Sequence, residues 1–201
     1  MSYFNNHIKI EDDQLKGFLI GSRLGDGAFI KKSNHHNTYI VFKHAADQYD
    51  YLLWKYNYLK NFGFLKPDKQ IKECKLVNCF DNAQKQYYFS TRSFVELNYY
   101  KQDISLLFNN INNMSIAIWL IDDGSLHKKA WKISFPNRSE SEKELISLHL
   151  DKIGLDYYIY EHKTNRSKDA IVFNNFNQTK ELILSNLPEI GTVKRKLHLE
   201  G

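Results

Sequence analysis

The segment Leu19-Ile20-Gly21-Ser22-Arg23-Leu24-Gly25-Asp26-Gly27 decides the fold, because a second version of it follows as Ile116-Ala117-Ile118-Trp119-Leu120-Ile121-Asp122-Asp123-Gly124. Each copy is a mostly apolar run that ends in Asp-Gly, and a short basic segment comes after each one. Asp123 lies 97 positions after Asp26, close to half of the 201 residues. A repeat that divides a chain in this way indicates two similar domains, each bringing one carboxylate to an equivalent place.

A row of glycines marks one face of the first segment. Gly17, Gly21 and Gly25 recur every four residues, so a helix places them on the same side. Each glycine inside a helix costs about 1 kcal/mol relative to alanine, and close approach of another backbone is the usual compensation. An Asp-Gly after a single apolar run is often an ordinary helix end. The repeat and the glycine row together favour two helices in close contact.

The chain has the composition of a folded protein with an uneven charge distribution. Hydrophobic residues make up 42% of it, yet no apolar run reaches the roughly 18 residues of a membrane span, so we expect no membrane partner. Cys74 and Cys79 have no second cysteine pair or histidine pair nearby, which argues against a zinc site and favours two buried free thiols. The net charge is +5, and segments 29–43 and 127–138 contain basic residues without any acid. This separation of charge favours a nucleic-acid surface over a merely solvated basic face.

Both halves show the same order of predicted elements. Each contains a helix, a hairpin, a helix, a second hairpin and a closing helix, which makes an αββαββα unit with a four-stranded antiparallel sheet. The predicted fold class is therefore α+β, with two pseudo-symmetric domains at 1–109 and 110–201. In the first hairpin, alternation assigns Ile40 and Phe42 to the buried face and Tyr39, Val41 and Lys43 to the open face. The elements predicted in the first half are helices at about 12–25 and 44–61, a final helix or helix plus linker at 93–108, and strands at 28–32, 38–43, 71–80 and 84–91.

Paired carboxylates beside basic strands suggest a phosphodiester hydrolase. Carboxylates bind hard cations such as Mg²⁺, which also bind phosphate oxygens. Such a metal polarises the phosphate, helps to ionise the attacking water and stabilises the leaving oxygen. One acid from each half can serve one strand of a duplex, while basic β-ribbons hold the duplex by its phosphates and base edges.

The two segments resemble the LAGLIDADG motif of homing endonucleases. The matching positions in the two copies are Leu19, Gly21, Asp26 and Gly27, and Ala117, Asp123 and Gly124. The second copy is most similar to the single-chain subgroup that contains mitochondrial large-rRNA intron endonucleases. The resemblance covers nearly the whole chain, and it implies two domains whose sheets form a DNA-binding saddle. It also implies a monomer that cuts both strands of a long, non-palindromic DNA target.

The resemblance assigns a metal site to the ends of the two motif helices. Asp26 and Asp123 would bind the catalytic Mg²⁺, for which Mn²⁺ would substitute. Gly25 and Asp122 align with each other and would contribute secondarily, for example through a backbone carbonyl. The motif helices would form the domain interface at Gly17, Gly21 and Ala117.

The resemblance also implies a basic residue near each acid. Lys101 and Lys196 occupy the corresponding positions, and for each of them a plain phosphate contact or a solvated charge is an alternative to a catalytic role. The residues expected to contact DNA lie on the strands and hairpin turns: Phe29, Lys31, Lys32, Asn34, Tyr39, Val41, Lys43, Lys72, Lys75, His127, Lys129, Lys132, Ser134, Lys163, Arg166 and Lys168.

The sequence departs from the motif at two places. Ile118 replaces the motif glycine in the second copy, and Ser22-Arg23 replaces an apolar pair in the first, so helix packing is expected to be asymmetric. The main alternative function is a non-cleaving nucleic-acid binder of the same fold, either an intron RNA maturase or a DNA-binding regulator. Asp26 and Asp123 are both retained, which favours cleavage. The family occurs in organelles as well as in bacterial and phage cytoplasm, and the sequence favours none of these compartments.

Overall fold

The computed structural model describes residues 6–74, 85–102, 104–127 and 129–199, and it contains eight helices and eight strands within these ranges. The helices are α1 Asp13–Leu24, α2 Tyr49–Asn61, α3 Leu97–Lys101, α4 Ser105–Phe108, α5 Asn113–Asp123, α6 Glu140–Lys152, α7 Phe176–Asn186 and α8 Gly191–Lys196. The strands are β1 Ala28–Ile30, β2 Tyr39–Ala45, β3 Lys72–Cys74, β4 Gln86–Ser90, β5 Ser125–His127, β6 Ala130–Ser134, β7 Tyr157–Tyr160 and β8 Ala170–Phe173.

These elements form two compact units that do not coincide with the two halves of the chain. The first unit contains Asp26–Gln102, the arm before Glu11 and Ile190–Thr192. The second contains Glu11–Gly25, Asp103–Glu189 and the chain from Val193 onwards. Helix α1 therefore belongs to the second unit, because its apolar surface packs on α5. The predicted division at 109/110 describes the sequence repeat and stays a prediction.

The first unit is built on a four-stranded antiparallel sheet in the order β1-β2-β4-β3. Helix α2 packs on β2 and β4, and α3 contacts β1. The buried side chains include Ile40 and Phe42 of β2, Phe89 of β4 and Leu52 and Leu59 of α2. The alternation of buried and open positions predicted for β2 is thus confirmed at Ile40 and Phe42.

The second unit contains the matching sheet, in the order β5-β6-β8-β7. Helix α5 lies against β6, α1 and α7, and all of its residues from Met114 to Ile121 are buried. Strand β6 alternates buried Trp131 and Ile133 with exposed Lys132 and Ser134. The predicted α+β fold with two four-stranded antiparallel sheets is confirmed.

Several predicted ends needed correction. The helix predicted from His44 begins at Tyr49, because β2 continues through His44 to Ala45 and a short 3₁₀ turn follows. The segment at 93–108, predicted as a helix or a helix plus linker, contains two short helices, α3 and α4. The polar arm before α1 is attached to the first unit where it is described, since the amide of Val95 donates to the carbonyl of Asn6.

Two helix starts follow their capping signals closely. The Asp12 side chain accepts a hydrogen bond from the amide of Leu15, so Asp12 is the N-cap of α1. Ser139 and Glu142 form a capping box at the start of α6. No helix among the described residues is long and apolar enough to span a bilayer. Cys74 is free but only half-buried, which corrects the prediction of a buried thiol, and Cys79 lies outside the described residues.

Candidate functional site

The glycine row of α1 contacts α5 within the second unit. A Cβ atom on Gly17 would lie 2.1 Å from Oδ1 of Asn112, and one on Gly21 would lie 2.7 Å from the carbonyl oxygen of Ser115. A Cβ on Gly25 would lie 2.5 Å from the Cβ of Asp122. The contact positions advance together along both helices, so α1 and α5 run parallel. Their C-terminal ends therefore lie side by side.

The start of this helix pair is held by one side chain. Asn112 caps α5 in a reciprocal arrangement with Ser115, and its Nδ2 also donates to the carbonyl of Asp13 at 2.7 Å. Because Gly17 has no side chain, the side chain of Asn112 can occupy the space next to it. The asymmetry expected from the motif departures is present as well, because Ile118 of α5 fills the space beside Gly21. Ala117 is fully buried in the same helix.

Arg23, the other departure from the motif, lies in the last turn of α1. Burial, together with the nearby charge of Arg138, lowers the pKa of Arg23 from its ordinary value. A cation in the last turn of a helix interacts favourably with the helix dipole. The charge of Arg23 therefore interacts favourably with the C-terminal end of the α1 dipole, although the motif has an apolar residue at this position.

The end of α5 carries Asp122 and Asp123, and Lys196 of α8 donates hydrogen bonds to carbonyl groups there. Asp123 is exposed and is the last residue of α5, whereas Asp122 is half-buried. The ammonium group of Lys196 donates to the carbonyl oxygens of Ile121, of Asp122 at 3.3 Å and of Gly124 at 3.5 Å. The structure thus brings Lys196 to the motif end where the sequence predicted a basic residue. These three hydrogen bonds are with backbone carbonyl groups.

Asp26 follows Gly25, the C-cap of α1, and lies in the first unit. Its side chain is 38% exposed, and its Oδ2 is 3.7 Å from Nδ1 of His44. His44 is buried at the end of β2. The carboxylate is therefore accessible to solvent and also faces an imidazole.

Sequence analysis missed His44 and the buried lysine behind it. Nε2 of His44 lies 3.4 Å from Nζ of Lys55, which is fully buried. Both residues had a detectable signal. His44 continues the buried series Ile40 and Phe42 of a strand, and Lys55 interrupts the apolar face of α2 at helical spacing. Ionisable side chains on a buried face are uncommon unless they have partners.

Lys101 occupies the end of α3 in the first unit. Its ammonium group donates to the carbonyl oxygen of Phe29 at 3.1 Å, although the residue as a whole is exposed. The Phe29 ring is itself buried and stacks on Tyr100 with 6.3 Å between centroids. Burial, with a smaller contribution from Tyr99, raises the pKa of Tyr100 to about 12. Phe29 is a core residue, which corrects its prediction as a DNA contact, because a buried ring cannot reach DNA.

The other predicted DNA contacts of the first unit are accessible where the structure describes them. Lys43 lies opposite Tyr88, which in turn lies opposite Lys72, so one row crosses β2, β4 and β3. Lys75 lies outside the described residues. The remaining predicted residues are exposed or half-buried on β1, β2 and the turn between them: Lys31, Lys32, Asn34, Tyr39 and Val41.

The open face of the second sheet combines cations with aromatic rings. Lys132 lies over the ring of Tyr160 at 5.4 Å, and Tyr160 and Tyr158 are 40% and 48% exposed. Together with His127 and Lys129 they line a shallow concavity of about 430 Å³. Ser134, Lys163 and Lys168 are exposed as well, and the backbone of Arg166 begins a short 3₁₀ turn. Sequence analysis missed the two tyrosines, whose alternation with Tyr157 and Ile159 was visible.

Each unit offers an oxygen ligand of the kind that a hard divalent cation prefers. Asp26 and Asp123 offer carboxylates at accessible positions next to the helix ends. Carboxylate and backbone carbonyl oxygens are the ligands that Mg²⁺, Mn²⁺ and Ca²⁺ favour. The donor chemistry therefore agrees with the metal that the sequence resemblance implies.

Fold and site define a two-domain α+β protein with paired motif helices, and comparison with known proteins places it in a family. The LAGLIDADG DNA endonuclease family matches residues 16–180. The chain belongs to this family, which confirms the resemblance of the two motif segments.

Three relatives illustrate the match. The structure of the homing endonuclease I-WcaI bound to its DNA recognition sequence superimposes with a TM-score of 0.68 at 20% identity, over 94% of this chain and 88% of that one. I-DmoI in complex with DNA and Mn gives a TM-score of 0.55 at 13% identity, over 89% and 98% of the two chains. These matches confirm the fold. The cytochrome b mRNA maturase bI2 of Debaryomyces hansenii is 24% identical over 155 residues, which are 73% of this chain and 59% of the maturase.

Proposed function

We propose that this chain is a site-specific homing endonuclease that hydrolyses one phosphodiester in each strand of a long, non-palindromic DNA target. The observation that carries the proposal is the parallel packing of α1 on α5, in which Gly25 contacts Asp122 at the paired helix ends. Asp26 and Asp123 each follow one of these two residues in the chain. Packing of this kind is a rigid way to bring two acids to one place.

The metal chemistry of the proposal needs few protein groups. A bound Mg²⁺ or Mn²⁺ supplies Lewis-acid polarisation of the phosphate and a lowered pKa for bound water. Asp26 and Asp123 would hold the ion through carboxylate oxygens, with the carbonyl of Gly25 or Asp122 as a secondary ligand. The Mn present with I-DmoI supports a divalent metal. Lys101 and Lys196 would stabilise phosphate charge near the two acids.

The open faces of the two sheets are the proposed DNA surface. Lys43 and Lys72 in the first unit and Lys132 in the second point away from the cores of their units. Lysines on such strands neutralise phosphates, and neighbouring polar side chains contact base edges. The two faces differ in sequence, so a single chain acting as a monomer would select a non-palindromic site.

A maturase is the second candidate, because the relative from Debaryomyces hansenii is named as one. This chain spans 59% of that protein, so an RNA activity would have to reside in the shared part. Under this alternative the chain would bind intron RNA and promote splicing. An endonuclease that also acts as a maturase would give both activities.

The proposal is tested by cleavage of a library of intron-insertion sequences with purified protein and Mg²⁺. We expect wild-type protein to cut one sequence on both strands, and we expect chelation of the metal to stop cutting but not binding. Asp26→Asn and Asp123→Asn should each abolish double-strand cleavage while leaving DNA affinity within a few-fold of wild type. Asp68→Asn, an exposed acid in the first unit, is the matched control and should cut normally.

The outcomes separate the candidates. Normal cutting by both Asp→Asn variants would show that the catalytic assignment is wrong. A wild-type protein that binds DNA without cutting any sequence would overturn the endonuclease proposal. Splicing of a cognate intron RNA by the same preparation would then support the maturase.

A further inference from the structure

Lys55 of α2 is fully buried and lies next to His44, the histidine that faces Asp26. Nζ of Lys55 lies 4.4 Å from the ring centroid of Tyr51 and 5.3 Å from that of Phe42. It also lies 3.4 Å from Nε2 of His44. Burying an ammonium group costs several kcal/mol unless its surroundings compensate. Two ring faces and an imidazole nitrogen are among the groups that surround it.

The position of Lys55 bears on which nitrogen of His44 carries the ring proton. An ammonium group has three donors and no acceptor, so Nε2 can interact favourably with Lys55 only as an acceptor. In the neutral ring the proton then resides on Nδ1. Nδ1 lies 3.2 Å from Oε1 of Gln48 and 3.7 Å from Oδ2 of Asp26, both of which are oxygen acceptors. The contacts on the two sides of the ring therefore agree with one tautomer, the one that is protonated on Nδ1.

We propose that Lys55 is a positioning residue that fixes His44 as the Nδ1–H tautomer, so that Nδ1 keeps its proton on the side that faces Gln48 and Asp26 and does not ligate the metal. A nitrogen that carries a proton has no lone pair to offer a cation. Asp26 would then bind its ion through oxygen alone, which favours Mg²⁺ and Mn²⁺ over the ions that imidazole binds well, such as Zn²⁺ and Ni²⁺. The link to metal selectivity rests on the proposed endonuclease function, whereas the tautomer does not.

The geometry distinguishes this role from that of an ordinary surface lysine. Lys60 is on the same helix and also lies near a ring, 5.9 Å from the centroid of Tyr56, but it is exposed. Lys60→Met is therefore a matched control for Lys55→Met, with the same change on the same helix. Methionine has nearly the length of lysine, so Lys55→Met fills the same space without a charge.

The test is the ¹⁵N spectrum of the imidazole rings of the full chain at about pH 8, with His44 assigned by its absence in His44→Gln. In wild-type protein we expect Nδ1 of His44 to appear as the protonated nitrogen and Nε2 as the unprotonated one. Lys55→Met should shift the population towards the Nε2–H tautomer, and Lys60→Met should leave it unchanged. A wild-type His44 protonated on Nε2 overturns the proposal without any variant having to fold.

A second readout connects the tautomer to the metal. Lys55→Met should bind Zn²⁺ roughly tenfold more tightly than wild type and cleave DNA roughly tenfold more slowly with Mg²⁺, at unchanged DNA affinity. Lys60→Met should match wild type in both assays. An unchanged tautomer together with unchanged Zn²⁺ affinity in folded Lys55→Met would contradict the role of Lys55. Absence of cleavage in wild type would instead contradict the proposed function, and the spectrum and Zn²⁺ titration would still decide the role of Lys55.

Discussion

The carbonyl oxygen of Ser115 lies 2.7 Å from the point that a Cβ atom on Gly21 would occupy. The neighbour is backbone, which cannot move aside as the end of a flexible side chain can. The Cβ atom of Ile118 lies 2.8 Å from the same point. Gly21 is therefore required by the spacing of α1 and α5, and the same spacing brings the two motif ends together.

Gly21→Ala should destabilise the protein by about 1–3 kcal/mol, because α1 and α5 must separate to admit the methyl group. The better helix propensity of alanine, about 1 kcal/mol, offsets part of this loss. Urea denaturation followed by circular dichroism measures the difference. Asn57→Ala, at an exposed position of α2, controls for propensity alone and should be neutral or slightly stabilising. A Gly21→Ala protein as stable as wild type would mean that the helices do not pack at this distance.

Lys196→Met should destabilise the free protein even without metal or DNA. Its ammonium group is the donor to three carbonyls around the end of α5, and hydrogen bonds from charged groups contribute about 1.5–3 kcal/mol. Thermal unfolding with and without DNA measures this effect. Lys194→Met, in the same helix, is the control. If Lys196→Met loses cleavage but keeps full stability, the lysine acts on the substrate and not on the helix end.

Removing lysines from the open faces should weaken DNA binding and reduce its dependence on salt. Each phosphate contact contributes about 0.9 to the slope of log affinity against log salt concentration. Lys43→Ala and Lys132→Ala should each lower the slope by about that amount. Fluorescence anisotropy between low and moderate salt provides the measurement. Lys152→Ala, at the end of α6, should leave the slope unchanged, and an equal effect of all three variants would place the DNA elsewhere.

Stability should fall in mild acid through His149. Burial, followed by the charge of Lys152, lowers the pKa of His149 in the folded protein. The unfolded chain therefore binds more protons below about pH 6.5, so the contribution is present above that pH and is lost as the pH falls through the folded value. His149→Gln should show a smaller loss of unfolding free energy between about pH 8 and about pH 5. The comparison is made by urea titration at both pH values, with His35→Gln, in the exposed turn, as control. Equal losses in wild type and His149→Gln would assign the acid sensitivity to other groups.

Much of the fold could be predicted from residues because the signals were local. Asp12 and the Ser139–Glu142 pair mark two helix starts, because the hydrogen bonds of helix capping form within one turn. The repeat of the motif predicted two similar sheets, and both have the same strand order. The helix start predicted at His44 was wrong, since the helical spacing of apolar residues overlapped the end of a strand. There the sheet register decided, by pairing His44 with Tyr87.

The sequence by itself determined the motif acids, the glycine row and the charge separation, because these depend on residue type and spacing. Only the tertiary structure decided what the glycines contact, that Phe29 is buried and that Lys196 closes the end of α5. Those facts depend on side chains that are distant in sequence and meet through packing. The pairing of His44 with Lys55 belongs to the same class. Local patterns place each residue on a buried face. Only the packing of α2 on β2 brings Nζ of Lys55 next to Nε2 of His44.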